Sequence, residues 1–316
     1  MTKKTVSGTY LITGATSGMG LKIARRLVAS GADHIITGVR NHETARKLRG
    51  AIPSRKLTVL DLDLMSLNST RCFVMAAKQA LSKRGEKLSG IVCNAGLQII
   101  GPKVMTADGV EMTFAVNFLS HFLMVNSLLP NLIAGGKVVT IGSGTHNPDD
   151  PVAKAGGFRG AVFPSASAIA QGDPGVPGTE VELGQDRYAA SKLCCILYAR
   201  GMAKRCLPAK ANFYCFDPGL MPGTNLARER GAVQRFVFKN VMPLLVPFIK
   251  LISSPGKSAN MVVDGILANG SKYTSGDYVE FTGHMAPHSP LATDDGHAED
   301  LLKLSRELTG RFEVPE

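Results

Sequence analysis

Apolar and polar positions follow two alternating periods along the first half of the chain. Thr9–Thr13, Ile35–Val39 and Leu57–Leu60 are short apolar runs, and Gly20–Ser30 and Glu43–Leu48 between them repeat apolar residues at helical spacing. The pattern predicts strand, helix, strand, helix, strand. Leu67–Leu81 continues as a helix, Ile91–Cys93 as a short strand, Gly109–Leu132 as a long helix and Lys137–Ile141 as a further strand. Repeated βα units imply an α/β fold, a doubly wound and mostly parallel sheet with helices on both faces. No repeat, heptad pattern or linker interrupts the 316 residues, which are therefore read as a single domain.

Two segments depart from this rhythm. Gly144–Gln185 is rich in Gly, Pro, Ser and Ala with little apolar periodicity, and a loop this long inside a compact domain is uncommon unless it is functional or mobile. A substrate-side excursion is expected there. Arg235–Ile252 is strongly apolar, but Lys239, Asn240, Pro243, Pro247 and Lys250 interrupt it. Those charges and prolines favour a lid or surface helix over a membrane span.

The composition, 44% hydrophobic and 19% charged, belongs to a globular chain able to bury a sizeable core. The formal charge of +11 suits an acidic ligand or an anionic membrane surface. Nucleic acid is not expected as a partner, because the chain has no Trp, no zinc-finger spacing and no aromatic RNA-binding signature. Six cysteines lack paired metal spacing, and Cys194 and Cys195 are adjacent on an expected helix. Neither a disulfide framework nor a metal is indicated, and a cytoplasmic setting, with peripheral membrane contact left open, is the expectation. Met1–Gly8 runs into the first strand without the apolar stretch of a signal peptide.

Thr13-Gly14-Ala15-Thr16-Ser17-Gly18-Met19-Gly20 joins the first strand to the first helix. Small residues let the backbone approach a pyrophosphate, and the first amides of the helix point at the anion with the positive end of the dipole behind them. This is the Rossmann-type dinucleotide context, although the Gly14, Gly18, Gly20 spacing is wider than Gly-x-Gly-x-x-Gly. The second strand ends in Gly38-Val39-Arg40-Asn41, where an acidic residue would grip ribose hydroxyls. Arg40 in that place favours a 2′-phosphate and so NADPH. Asp63, in Leu62-Asp63-Leu64, is a candidate acceptor for the adenine amino group, with a helix N-cap or turn carboxylate as the alternative.

Tyr188-Ala189-Ala190-Ser191-Lys192 opens an expected helical run, which sets Tyr188 and Lys192 one turn apart on one face. A phenol titrates near about 10, and a neighbouring ammonium together with the positively charged nicotinamide of an oxidised cofactor would favour its ionised form, so Tyr188 is a candidate for proton transfer near neutrality. Together the Gly14, Gly18, Gly20 loop, Cys93-Asn94-Ala95-Gly96, Asn117, Ser143, the Tyr188 and Lys192 pair and Pro218-Gly219 resemble the short-chain dehydrogenase/reductase family over roughly Thr9 to Leu226. The resemblance implies that Thr16, Ser17, Gly18, Met19 and Gly20 meet the cofactor phosphates and that Asp63 and Leu64 meet its adenine. Asn94, Ala95 and Gly96 would support the central strand and the cofactor. Ser143 would orient the reacting group, Tyr188 act as acid or base, Lys192 hold the ribose and tune Tyr188, and Asn117 join a proton relay through water. Pro218 and Gly219 would bind the cofactor, and Thr224 would meet its carboxamide or phosphates. The implied division is a dinucleotide-binding part at 8–143, an insert at 144–187, a catalytic helix at 188–206 and a substrate lid at 220–256.

Thr106–Glu111 and Val116–Leu123 are similar to both retinol-dehydrogenase-type enzymes and light-dependent protochlorophyllide reductases, and do not separate them. The 45-position interval from Ser143 to Tyr188, Gly157-Phe158-Arg159-Gly160 within it, and Cys194 resemble the second branch. That branch implies NADPH-dependent reduction of a protochlorophyllide C=C bond in chlorophyll synthesis. The chain departs from it at Gly96, where Ala is usual, and at Leu220, where a cysteine is usual. The alternative is a light-independent carbonyl reductase or alcohol dehydrogenase acting on a retinoid, steroid or other lipophilic molecule. The insert and Arg235–Ile252 are expected to meet over the nicotinamide end as an apolar cover, with Arg235, Lys239 and Lys250 holding a carboxylate or resting on a membrane surface.

Overall fold

The computed structural model describes residues 5–221 and 252–310. Within them the chain forms β1 (Thr9–Ile12), α1 (Gly18–Ser30), β2 (His34–Val39), α2 (His42–Ala51), β3 (Leu57–Asp61), α3 (Leu67–Arg84) and β4 (Leu88–Cys93). A helix then starts as α4 (Met112–Phe114), widens into a π turn (Ala115–Leu119) and continues as α5 (Ser120–Leu128), before β5 (Leu132–Ile141). Short helices α6 (Pro151–Ala155) and α7 (Ala166–Ala170) precede the long α8 (Glu180–Arg205), β6 (Ala211–Asp217), α9 (Pro255–Asn260), β7 (Tyr278–Glu280) and α10 (Asp295–Thr309).

The seven strands form one sheet in the order β3-β2-β1-β4-β5-β6-β7, every neighbouring pair parallel. β1 and β2 are buried along their whole length, which is why they read as unbroken apolar runs rather than alternating ones. The connections reverse direction between β1 and β4, and the crevice of an open α/β sheet lies outside the strand carboxyl ends at that point. Two apolar cores fill the two faces, one around α3, α5 and α8, the other around α1 and α9.

Local chemistry sets the helix boundaries. The expected long helix begins at Met112 rather than Gly109, because Gly109 has φ +74° in a turn closed by its amide on Thr106 O, and Glu111 caps Phe114 N at 2.7 Å. The run 112–131 has the length and apolarity of a membrane span, yet 89% of its apolar stretch is buried in the core. The helix expected at 188–206 begins two turns earlier, at Glu180, where Thr179 and Glu182 form a reciprocal capping box. Tyr188 therefore sits inside α8 rather than at its start. α10 lies along α8, so close that a methyl on Gly201 would stand 3.0 Å from Leu302 Cδ1.

Candidate active site

The loop between β1 and α1 is held from below. Asn94, just past β4, donates its side-chain amide to Thr13 O at 2.9 Å and Gly14 O at 3.3 Å, and Ala95 N donates to Thr13 Oγ1 at 3.0 Å. A methyl on Gly20 would lie 2.3 Å from Gly14 O and 2.4 Å from Asn94 Nδ2, so only glycine allows this approach. Gly18, at φ +54°, has no atom within 4 Å of a would-be Cβ and faces open space. The Ser17 side chain makes no cap hydrogen bond and α1 has no acidic residue in its first turn. The leading amides of α1 are thus free for an anion, and the cradle fits a dinucleotide pyrophosphate. Thr16 and Ser17 lie at its solvent side, whereas the Met19 side chain is buried in the core and offers the cradle only its backbone.

The outer end of the cleft is less constrained. Arg40 is exposed beyond β2 and makes no hydrogen bond or ion pair with a described residue. Asn41 beside it accepts from Thr44 N and caps α2. Asp63 is tied into the start of α3, its amide donating to Ser69 Oγ at 2.9 Å and its carboxylate accepting from Met65 N at 3.1 Å. Leu64 is buried, with its carbonyl accepting from Ser120 Oγ. The turn reading of Asp63 therefore holds, and one carboxylate oxygen stays available to a ligand.

The four candidate catalytic residues come together at the ends of β4 and β5 and on α8. Asn117 lies in the π turn, and its side chain accepts from Leu97 N at 2.8 Å and donates to Leu97 O and to Ser191 Oγ, both at 2.9 Å. Ser191 in turn donates to Tyr188 O at 2.7 Å. Lys192 is buried, donates to Ile141 O at 3.0 Å and holds its Nζ 5.6 Å from the Tyr188 ring centre. A methyl on Gly96 would stand 3.7 Å from that Nζ, which places the Asn94–Gly96 turn against the pair. Ser143 caps the turn after β5 through Thr145 N, and its hydroxyl lies near enough to Tyr188 to lower the phenol pKa.

The protein's own groups, without a cofactor, hold Tyr188 protonated. Burial pushes the phenol pKa up, and the Lys192 ammonium and Ser143 hydroxyl only partly oppose it, while Asp217 adds to the rise. Without a cofactor cation the residue is a protonated acid rather than a group exchanging near neutrality. Two histidines that the sequence did not mark brace the site. His121 bridges Thr13 Oγ1 (2.9 Å) and Asn117 O (3.2 Å), and burial pushes its pKa down to about 4. His146 bonds Ser143 O at 2.7 Å through Nδ1, accepts from Ser289 N through Nε2, and is likewise pushed to about 4. Both are neutral struts.

The insert carries short capped helices of its own. Asp150 and Ser165 cap α6 and α7, and Arg159 pairs with the buried Asp186. Its residue Phe158 packs on the Tyr188 ring with centroids 6.1 Å apart, and Ala153 joins them. Pro218 and Gly219 follow β6, Pro218 O accepting from Ser258 and Gly219 adopting φ +67° under the Phe281 ring. Thr224, Arg235, Lys239, Lys250 and most of the 220–256 lid lie outside the described residues, so the expected meeting of the two covers is not described.

The pattern of the family described as short chain dehydrogenase matches residues 8–154. The chain is 30% identical to a chloroplastic protochlorophyllide reductase of Chlamydomonas reinhardtii over 96% of its own length and 78% of that relative. It is 32% identical to protochlorophyllide reductase B of Hordeum vulgare over 98% of its length and 80% of the relative. The chain belongs to the short-chain dehydrogenase/reductase family. A solved structure of an uncharacterised Mycobacterium Paratuberculosis protein, 25% identical, matches it with a TM-score of 0.65 over 98% of this chain and 95% of the other. As a member of that family the chain is an oxidoreductase that uses a nicotinamide dinucleotide.

Family membership accounts for the cradle and for the Asn117, Ser143, Tyr188 and Lys192 cluster. It leaves Asp217, Tyr278 and Asp150 unexplained. Asp217 accepts from Gly219 N at 2.8 Å and from the Tyr278 hydroxyl at 3.0 Å. The sequence placed Asp217 beside Pro218-Gly219, but nothing in its spacing announced a carboxylate acting on Tyr188.

Proposed function

We propose that the chain is an NADPH-dependent reductase of a lipophilic, conjugated substrate, with the C=C bond of a protochlorophyllide-type tetrapyrrole as the leading candidate. The observation that carries the substrate reading is the ordered insert, whose Phe158 builds an apolar wall directly on Tyr188. The two relatives named protochlorophyllide reductase match nearly the whole chain, insert included. The preference for NADPH is supported by Arg40, an exposed guanidinium with no described partner where a 2′-phosphate would lie.

When bound, NADPH supplies a hydride. Tyr188 supplies the proton, held in its neutral form by burial and aimed by Ser143. Lys192 keeps an ammonium beside the phenol and stabilises the phenolate left after transfer. Asn117 and Ser191 fix the α8 backbone at Tyr188, and His121 ties the Asn117 carbonyl to the glycine-rich loop.

Leu220, which stands where the protochlorophyllide branch has a cysteine, favours a second reading in which Tyr188 protonates the alkoxide of a lipophilic ketone. Illumination of the purified protein with NADPH and protochlorophyllide, against a dark control, decides between them. Conversion only in the light supports the first reading. No conversion of pigment, together with NADPH oxidation in the dark by retinal or a steroid ketone, refutes it.

A further inference from the structure

Asp217 ends β6 at the lip of the crevice, partly accessible from the cleft yet deep within the molecule. Both carboxylate oxygens are held, one by Gly219 N and the other by the Tyr278 hydroxyl. Tyr278 is itself fixed: its ring stands 2.8 Å from where a Gly142 methyl would be, and His146 meets it edge-on at 5.6 Å. His146 closes the frame on Ser143 O. The carboxylate is thus built into the same scaffold that positions Ser143 and Tyr188.

The titratable groups facing it are Tyr278 and Glu280 from β7, Asp150 at the head of α6, Tyr188 on α8 and Cys215 on β6. No lysine or arginine pairs with it among the described residues, and Asp150 and Glu280 add like charge. An uncompensated carboxylate in so enclosed a place is costly unless a cation arrives to face it. Phe216, just before it, pairs in register with Ile141 and accepts from Gly142 N, so Asp217 lies beside Ser143 at the carboxyl ends of β5 and β6, where the reading of this cleft puts the nicotinamide. The nicotinamide ring is neutral when reduced and carries a positive charge once its hydride has left.

We propose that Asp217 is the built-in counter-ion of the oxidised nicotinamide, lowering the energy of the charge that appears on the ring as hydride departs while holding Tyr188 in its protonated form. The inference rests on the reading of this cleft as a nicotinamide site with Tyr188 as acid. A carboxylate placed there favours the oxidised over the reduced dinucleotide in binding, and favours hydride donation over hydride acceptance. It also opposes ionisation of Tyr188, in the direction its surroundings already show.

Equilibrium binding tests this without turnover. Dissociation constants for NADP⁺, NADPH, NAD⁺ and NADH are measured on the full chain and on Asp217→Asn between pH 5 and 8. Asn keeps an acceptor for Gly219 N and a partner for Tyr278. The expected result is a wild-type gain in oxidised-cofactor affinity as Asp217 ionises near pH 6, and a loss of about 10-fold in the oxidised-to-reduced affinity ratio at pH 8 in Asp217→Asn. Tyr278→Phe, which removes a hydrogen bond to the carboxylate, keeps the pH step and moves it upward. An Asp217→Asn ratio equal to wild type across the range overturns the proposal while leaving the nicotinamide reading intact. Failure of wild type to bind any of the four dinucleotides overturns both.

Discussion

Replacing Asp217 with Asn changes how the stability of the fold depends on pH, by an amount that its surroundings set. Burial raises the carboxyl pKa from 3.8 to about 6, against the lowering effect of Gly219 N and Tyr278. A rise of about 2 units corresponds to about 3 kcal/mol between folded and unfolded chains, reduced to about 1.5–3 kcal/mol because water reaches the group from the cleft. The sign follows from proton affinity. The folded chain holds this proton more tightly than the unfolded one, so the contribution is full below pH 3.8, falls away as pH rises through about 6, and is constant above. Asn has no proton to lose. Urea unfolding of both proteins at pH 4.5 and pH 7.5 isolates the residue, since every other group titrates in both. Asp217→Asn should gain about 1–2 kcal/mol relative to wild type between the two pH values, the part of the swing that lies above pH 4.5, equivalent to about 1.5–3 °C in Tm. Parallel stability curves would refute the reasoning and show that the carboxylate is solvated in the folded chain.

Four further changes probe the cradle, the cofactor choice, the proton and the wall. Gly20→Ala forces its methyl against Gly14 O and Asn94 and should lower stability by about 2–3 kcal/mol with loss of dinucleotide binding, read by denaturation and fluorescence titration. Arg40→Ala should weaken NADPH while sparing NADH, so an unchanged preference in binding assays removes the 2′-phosphate assignment. Tyr188→Phe keeps the ring against Phe158 and should retain cofactor affinity while losing about 10²- to 10⁴-fold in single-turnover rate. Phe158→Ala should raise the dissociation constant of the lipophilic substrate severalfold with NADPH affinity unchanged, and the opposite pattern would place the insert on the cofactor side.

What the sequence could announce was whatever depends on local spacing. The order of β1 to β5 follows from apolar runs alternating with helical stretches, because buried parallel strands carry an unbroken apolar signature. The glycine loop was equally legible, since the approach of Gly20 to Gly14 O leaves no other residue possible. Pairing across distant segments was not. The insert reads as a loop because its order comes from single caps at Asp150, Ser165 and Thr179 and from Arg159 reaching Asp186, none of which produces a period. β7, only three residues long, carries too little pattern to register, yet it supplies the tyrosine that holds Asp217.

The same separation explains the chemistry. Tyr188 and Lys192 are four residues apart and declare themselves, but the balance of charge that decides the state of Tyr188 is assembled from β5, β6, β7 and α8. A tyrosine read with its lysine and an oxidised nicotinamide looks ready to ionise. The same tyrosine placed in the fold, buried and within reach of Asp217, keeps its proton until a cation enters the cleft. On the proposed reading the positive ring of the oxidised dinucleotide would be such a cation, and loss of hydride and release of the Tyr188 proton would be coupled through one electrostatic site. A chain that donates hydride gains from that coupling, because the proton stays on the phenol until the positive charge that eases its departure has formed.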